Sequence, residues 1–154
     1  MAALLRFLWF PLAVTAVLFG WLWLDRLVGW RGVQLLWPGR VLVLLGALLV
    51  TWCIVLLARI GKGTPNPFAA KTKRLVIAGP YRIVRNPMMW GVGLILSGAA
   101  LWLGSVGLWF GLASVILFVR WFVPHYEEPD MERRFGEEYR DYCRRVPRWF
   151  PRLR

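Results

Sequence analysis

The sequence predicts an all-α integral membrane protein: about four transmembrane helices, the last two forming a tight hairpin, followed by an amphipathic cytosolic helix. Composition is the first observation behind this. Of 154 residues 58% are apolar and eleven are tryptophan, too greasy for a soluble domain of this length. The second is placement, because Lys, Arg, Asp and Glu are sparse within the apolar runs and crowd into the stretches between them. The third is length, because the first two runs are each about 20 residues, which at 1.5 Å per residue crosses a hydrocarbon core of roughly 30 Å.

The first span is read at about 4–24 and the second at about 41–60. No small-residue cleavage site follows the first run, so it is expected to stay as a helix rather than be removed as a signal peptide. Between the two, residues 25–40 carry Gly29, Gly32, Pro38 and Gly39, a turn region bordered by Trp21, Trp23, Trp30 and Trp37 in the manner of an interfacial aromatic belt. The apolar stretch 88–123 is too long for one ordinary span and suits two short ones, 88–103 and 106–123. Small residues at Gly91, Gly93, Ser97, Gly98, Ala99, Gly104, Gly107, Gly111, Ala113 and Ser114 would let these two backbones approach closely, and such faces also permit a homodimer.

Orientation follows from the loops. Residues 61–87 hold six Lys or Arg and no acid, whereas 25–40 hold three Arg and one Asp. The positive-inside tendency therefore puts the 61–87 loop and the arginine-rich segment 124–154 on the cytoplasmic side, and two spans on either side of that loop satisfy it. In the tail, Met131, Phe135, Tyr139, Tyr142 and Val146 fall at spacings of four, four, three and four, one stripe of an amphipathic helix. Pro129 suits its first turn, acids crowd its start and Arg144 and Arg145 its end, and Pro147 stops it. The whole chain, 1–154, reads as one domain in a membrane, and the small size points to a bacterial inner membrane.

Several function classes are excluded. The formal charge of +12 flanks membrane spans rather than forming a patch interleaved with stacking aromatics, so anionic lipid headgroups explain it and nucleic acid does not. Cys53 and Cys143 lie in different environments without metal-ligand spacing, and no metal site is expected. Gly61, Lys62, Gly63 and Thr64 echo a phosphate loop but lack its upstream glycine and strand, and no G-x-S-x-G is present.

Two segments remain for chemistry, both at the cytoplasmic face: the loop through Tyr81, Arg85, Asn86 and Pro87, and the cluster His125, Glu127 and Glu128 after the fourth run. Each has a plain structural explanation. Asn86 and Pro87 make a good N-cap and first-turn pair, the glutamates suit a helix start, and Arg85 suits a lipid phosphate. Together they place the only histidine, two adjacent carboxylates, an arginine, an amide and a phenol at the ends of one helical hairpin. Ionisable groups at membrane depth are by default a functional hypothesis. A carboxylate and an amide bind ribose hydroxyls or an amino group, and an arginine holds a carboxylate, which are the needs of S-adenosylmethionine. Methyl transfer mainly requires alignment and water exclusion, which a small bundle can supply.

At these segments the sequence resembles the isoprenylcysteine carboxyl methyltransferase and phospholipid methyltransferase superfamily, whose members share a G-P-Y-x-x-x-R-[HN]-P-x-Y-like loop and a later E-E…F-G-x-x-Y-x-x-Y…V-P pattern. Here these read GPYRIVRNPMM at 79–89 and EEPDMERRFGEEYRDYCRRVPRWFP at 127–151, and the resemblance covers 63–151. It implies a cytosol-facing S-adenosylmethionine pocket formed by Tyr81, Arg85, Asn86, Pro87, His125, Glu127, Glu128, Tyr139, Tyr142 and Arg145, with Glu128 and His125 as the candidate catalytic groups. The implied acceptor is lipophilic, isoprenylcysteine carboxylate-like or phospholipid amine-like.

The sequence departs from the pattern at Asn86, where many members have histidine, and at Met89, where tyrosine is frequent. The arginine expected close before the glutamate pair in isoprenylcysteine-type members is replaced by Val123, leaving Arg120 or His125 to substitute. Two other readings stay open at this point. One is an NADPH-dependent membrane reductase of the sterol-reductase-like type. The other is a non-catalytic four-helix membrane protein whose charged tail binds lipid headgroups or a partner.

Overall fold

The computed structural model describes residues 2–62 and 72–151, with side chains from residue 13 onward. Gly63 and Thr64 of the phosphate-loop echo, and residues 63–71 of the resembling segment, lie outside the described residues. Among the described residues the chain is helical and has no strand: α1 Ala2–Val28, α2 Leu36–Arg59, α3 Pro87–Leu103, α4 Val106–Phe122 and α5 Glu128–Arg145. A short 3-10 turn, Gly79–Arg82, precedes α3, and a π turn, Val123–Glu127, joins α4 to α5 without a break.

Among the described residues two helical stretches are long and apolar enough to cross a membrane: α2, and Val106–Arg145, in which α4 runs through the π turn into α5, while α3 is a shorter apolar helix of 17 residues. The expected separate tail helix is thus a continuation of the fourth apolar run. On α2 the apolar side chains point outward, with Trp37 74%, Leu44 60% and Leu48 59% exposed, the inverse of a soluble core and the surface that lipid would cover. The turn region predicted at 25–40 is shorter than expected, because α1 runs on to Val28 and α2 already begins at Leu36, with Pro38 in its first turn.

The hairpin reverses where the small residues predicted it. Gly104 caps α3 in the left-handed conformation (φ +63), which glycine adopts without a Cβ penalty, and Ser105 caps α4 by accepting from the Leu108 N–H at 3.1 Å. The tight packing, however, is not within this hairpin. Gly46 and Gly39 of α2 abut Gly91 and Gly98 of α3, so closely that a Cβ on Gly46 would lie 2.6 Å from the Gly91 carbonyl oxygen. Gly107 and Gly111 of α4 instead face Trp21 and Leu18 of α1. Small residues mark a close approach but not its partner, and each half of the expected pair has been claimed by a different neighbour.

The α1 to α4 contact is fixed by a polar clamp. The buried Asp25 carboxylate accepts from the Ser105 hydroxyl at 2.6 Å and from the Gly107 N–H at 3.1 Å, so an α1 side chain satisfies an orphan donor at the start of α4. Trp21 adds a hydrogen bond to Ser114 at 3.3 Å and stacks on Phe110. With α2 bound to α3 and α1 to α4, the opposite ends of these helices are left to line a cavity.

Candidate functional site

Beyond α2 the chain returns over the helix ends. Leu75 packs into the stripe predicted on α5, forming a buried cluster with Tyr139, Tyr142 and Val146, against which Met131 and Phe135 rest. Burying this stripe brings α5 across the 3-10 turn, and the Tyr142 hydroxyl donates to the Tyr81 carbonyl at 2.7 Å. The α5 backbone breaks at Gly136, where φ +54 and ψ −126 are open to glycine alone. Asn86 holds the N-cap position of α3 and Pro87 its first turn, yet the Asn86 side chain does not cap; its amide donates to the Arg148 carbonyl at 3.4 Å.

These contacts enclose a cavity of about 980 Å³. One end is polar, lined by Tyr81, Arg85, Asn86, His125, Glu127 and Glu128; the other is apolar, lined by Val14, Val17, Val92, Val115, Phe118 and Val119. A smaller recess of about 470 Å³ lies behind it, and Arg85, Glu128, Pro129 and Tyr139 border both.

The polar end is organised around Glu128. Arg85 Nη1 donates to its Oε1 at 2.8 Å, Arg148 Nε donates to the same oxygen at 2.8 Å, and Arg148 Nη2 donates to Oε2 at 2.5 Å. The side chains of Arg85 and Glu128 are only 13% and 16% exposed, so this cluster is partly desolvated and held far more firmly than a surface pair. Arg85 Nη1 also reaches Cys143 Sγ at 2.7 Å, while Arg85 Nε is buried with no partner among the described residues. Glu127, one residue away, has no cation at ion-pair distance among the described residues. Its desolvation, then the neighbouring charges of Glu128 and Asp130, push its carboxyl up to about 7. Burial likewise raises Tyr81 and Tyr139, keeping both phenols protonated as donors.

The candidate residues are therefore not all brought together. Tyr81, Arg85, Asn86, Glu127, Glu128, Tyr139 and Tyr142 converge on the cavity. His125 lies at its rim with its ring exposed, Nδ1 against the Trp121 carbonyl at 2.6 Å and the ring stacked on Trp121. Pro87 is buried as a helix start rather than lining the cavity. Arg145 turns away, exposed and bonded to the Asp141 carbonyl of its own helix, because the buried stripe occupies the opposite face. Arg120, considered as a substitute arginine, is exposed on α4 and does not line the cavity. The arginine that joins Arg85 on Glu128 is Arg148, from beyond the helix. Its sequence signal is slight: Pro147 ends the helix and favours extended backbone at Val146, which leaves Arg148 on a non-helical segment.

A family model described as phospholipid methyltransferase matches residues 35–138, roughly two thirds of the chain, spanning α2 to the first half of α5. The chain belongs to the phospholipid methyltransferase family. An uncharacterized protein of Haemophilus influenzae is 43% identical over 56 residues, 36% of this chain and 89% of that protein. No solved structure matches the chain. Membership in the phospholipid methyltransferase family agrees with the lipid-ready exterior of α2 and identifies a membrane methyltransferase. Within this family member, α1 and everything after residue 138, including Arg148, lie outside the matched region.

Proposed function

We propose that the chain is a four-span methyltransferase, α1 to α4 each crossing the membrane, that moves a methyl group from S-adenosylmethionine to a lipophilic acceptor of the isoprenylcysteine carboxylate or phospholipid amine kind. The carrying observation is the single cavity with a polar end at the loop and an apolar end among α1, α3 and α4. Such a cavity suits one water-soluble and one bilayer-soluble reactant meeting inside it.

The residues fit the cofactor. Glu127 is an acceptor with no cation partner among the described residues, Asn86 and Tyr81 offer an amide and a phenol, and Arg85 presents a buried donor without a partner. These are the groups that would hold it. S-adenosylmethionine supplies, when bound, a methyl carried on a positively charged sulfur. The chain itself supplies alignment and water exclusion: Phe118, Val119 and Phe122 keep the apolar end dry, and the protonated tyrosines donate without titrating near neutral pH. Glu127, titrating near neutrality, can take a proton from an acceptor that must lose one. The basic 61–87 loop supports a cytoplasmic placement of this end in a bacterial inner membrane.

Calorimetric titration of the detergent-solubilised protein with S-adenosylmethionine and, separately, NADPH tests the reading. The expected result is S-adenosylmethionine binding that weakens in Glu127→Gln and Arg85→Gln. Absence of that binding at millimolar ligand, or binding of NADPH alone, overturns it.

A further inference from the structure

After α5 the backbone at Val146 turns extended (φ −115, ψ 124), and residues 146–150 run across the start of α3 as a strap. Successive strap carbonyls are each taken up: Pro147 by the Arg85 N–H at 2.9 Å, Arg148 by the Asn86 amide at 3.4 Å, and Trp149 by the Trp90 indole at 2.8 Å. Phe150 packs edge-on against Trp90 at 5.5 Å, and Val146 is buried with Tyr139 and Tyr142. A segment anchored on both flanks gives the side chain between them a fixed origin.

That side chain is Arg148, whose fork closes on both oxygens of Glu128. Such a bidentate pair fixes the carboxylate plane as well as its place. Glu128 in turn holds Arg85 Nη1, leaving Arg85 Nε buried and without a partner among the described residues. Arg148 borders the smaller recess but not the 980 Å³ cavity, whereas Glu128 and Arg85 border both. Its influence on that cavity must pass through them.

We infer that Arg148 is a positioning residue: from the strap it locks Glu128, and through it the Arg85 guanidinium, in the orientation that receives the cofactor. This rests on the function proposed above. The strap lies beyond the matched region of the family, so the device is argued from this chain's own contacts. Positioning and bare charge predict opposite results, because S-adenosylmethionine carries a net positive charge near neutral pH. Deleting a cation should tighten binding if charge alone matters and weaken it if orientation matters.

Titration calorimetry with S-adenosylmethionine on wild type, Arg148→Gln, Arg148→Lys, Glu128→Gln and the Glu128→Gln/Arg148→Gln pair, with Tm of each protein without ligand, decides it. The expected Kd of Arg148→Gln is about tenfold weaker, the equivalent of one charged hydrogen bond. Arg148→Lys, which keeps the charge but not the fork, recovers part of this, and the double variant binds no worse than Glu128→Gln alone. A Kd for Arg148→Gln equal to or below that of wild type overturns the inference while the proposed function stands. If Arg148→Gln does not fold, Arg148→Lys decides: a roughly threefold weaker Kd supports positioning, and an unchanged one overturns it. Wild type that binds no S-adenosylmethionine overturns the proposed function and this inference with it.

Discussion

Replacing Gly46 by alanine tests how the α2 to α3 pair is held. The added Cβ would lie 2.6 Å from the Gly91 oxygen, 2.8 Å from Ile95 Cγ1 and 2.9 Å from the Ile95 nitrogen. Two of these three atoms are backbone of a rigid helix, so turning the Ile95 side chain relieves only one contact, and the helices must part by the better part of an ångström. Overpacking of this kind costs about 1–3 kcal/mol. Against it stands the better helix propensity of alanine, about 1 kcal/mol. Gly93, on the same helix pair, supplies the control, because its Cβ would meet nothing within 4 Å and only the propensity gain remains. Gly46→Ala should therefore lower Tm in detergent while Gly93→Ala leaves it unchanged or raises it. Equal effects of the two substitutions, in either direction, would refute the assignment of the tight interface to α2 and α3.

Three further outcomes are expected. Asp25→Ala strands the Ser105 hydroxyl and the Gly107 N–H and should destabilise by about 2–4 kcal/mol, with Asp25→Asn milder because its oxygen can still accept; chemical denaturation in mixed micelles reads both. Gly136→Ala forces an L side chain into a glycine conformation and should cost about 1–3 kcal/mol in the same assay although the space around it is open. Maleimide labelling of the native protein should modify Cys143, which is half-buried, and spare the fully buried Cys53 until the protein is denatured, as intact-mass measurement would show.

Much of the fold was legible because it depends on local properties. The apolar runs fixed the helices to within a few residues, Gly104 and Ser105 marked the reversal, and the α5 stripe identified the buried residues correctly. What was not legible depends on pairing. Gly91 and Gly98 announce a close neighbour without naming it, and Gly39, assigned to a turn, lies inside α2 as their counterpart. At the site, Arg85 and Glu128 were visible as charges out of place, whereas Arg148 was one arginine among many in a basic tail. Only the strap's hydrogen bonds to α3 single it out. Arg145 was misplaced for a related reason: a pattern match gives position along the chain but not the face of the helix on which the side chain emerges.

The adjacent glutamates show the same limit most sharply, and they carry a prediction of opposite signs. Pro124 has no N–H to offer the helix ladder, and the backbone relaxes into a π turn in which the Glu128 N–H bonds to the Val123 carbonyl. The turn delivers Glu127 to the cavity without a cation partner among the described residues and Glu128 into the grip of two guanidiniums. A carboxyl raised from the ordinary 4.5 to about 7 binds its proton more tightly in the folded state than in the unfolded one. Folded stability is therefore undiminished below pH 4.5, falls as pH rises toward 7, and stays reduced above it. Glu127→Gln removes that loss and should raise Tm at pH 8 while making no difference at pH 4. Glu128→Gln instead leaves Arg85 and Arg148 without their shared anion in a partly buried place, and should lower stability at pH 8 by about 3–5 kcal/mol. Thermal unfolding of the two single variants across that pH range separates the roles, and shifts of the same sign at pH 8 would sink the division of labour between two identical neighbouring side chains.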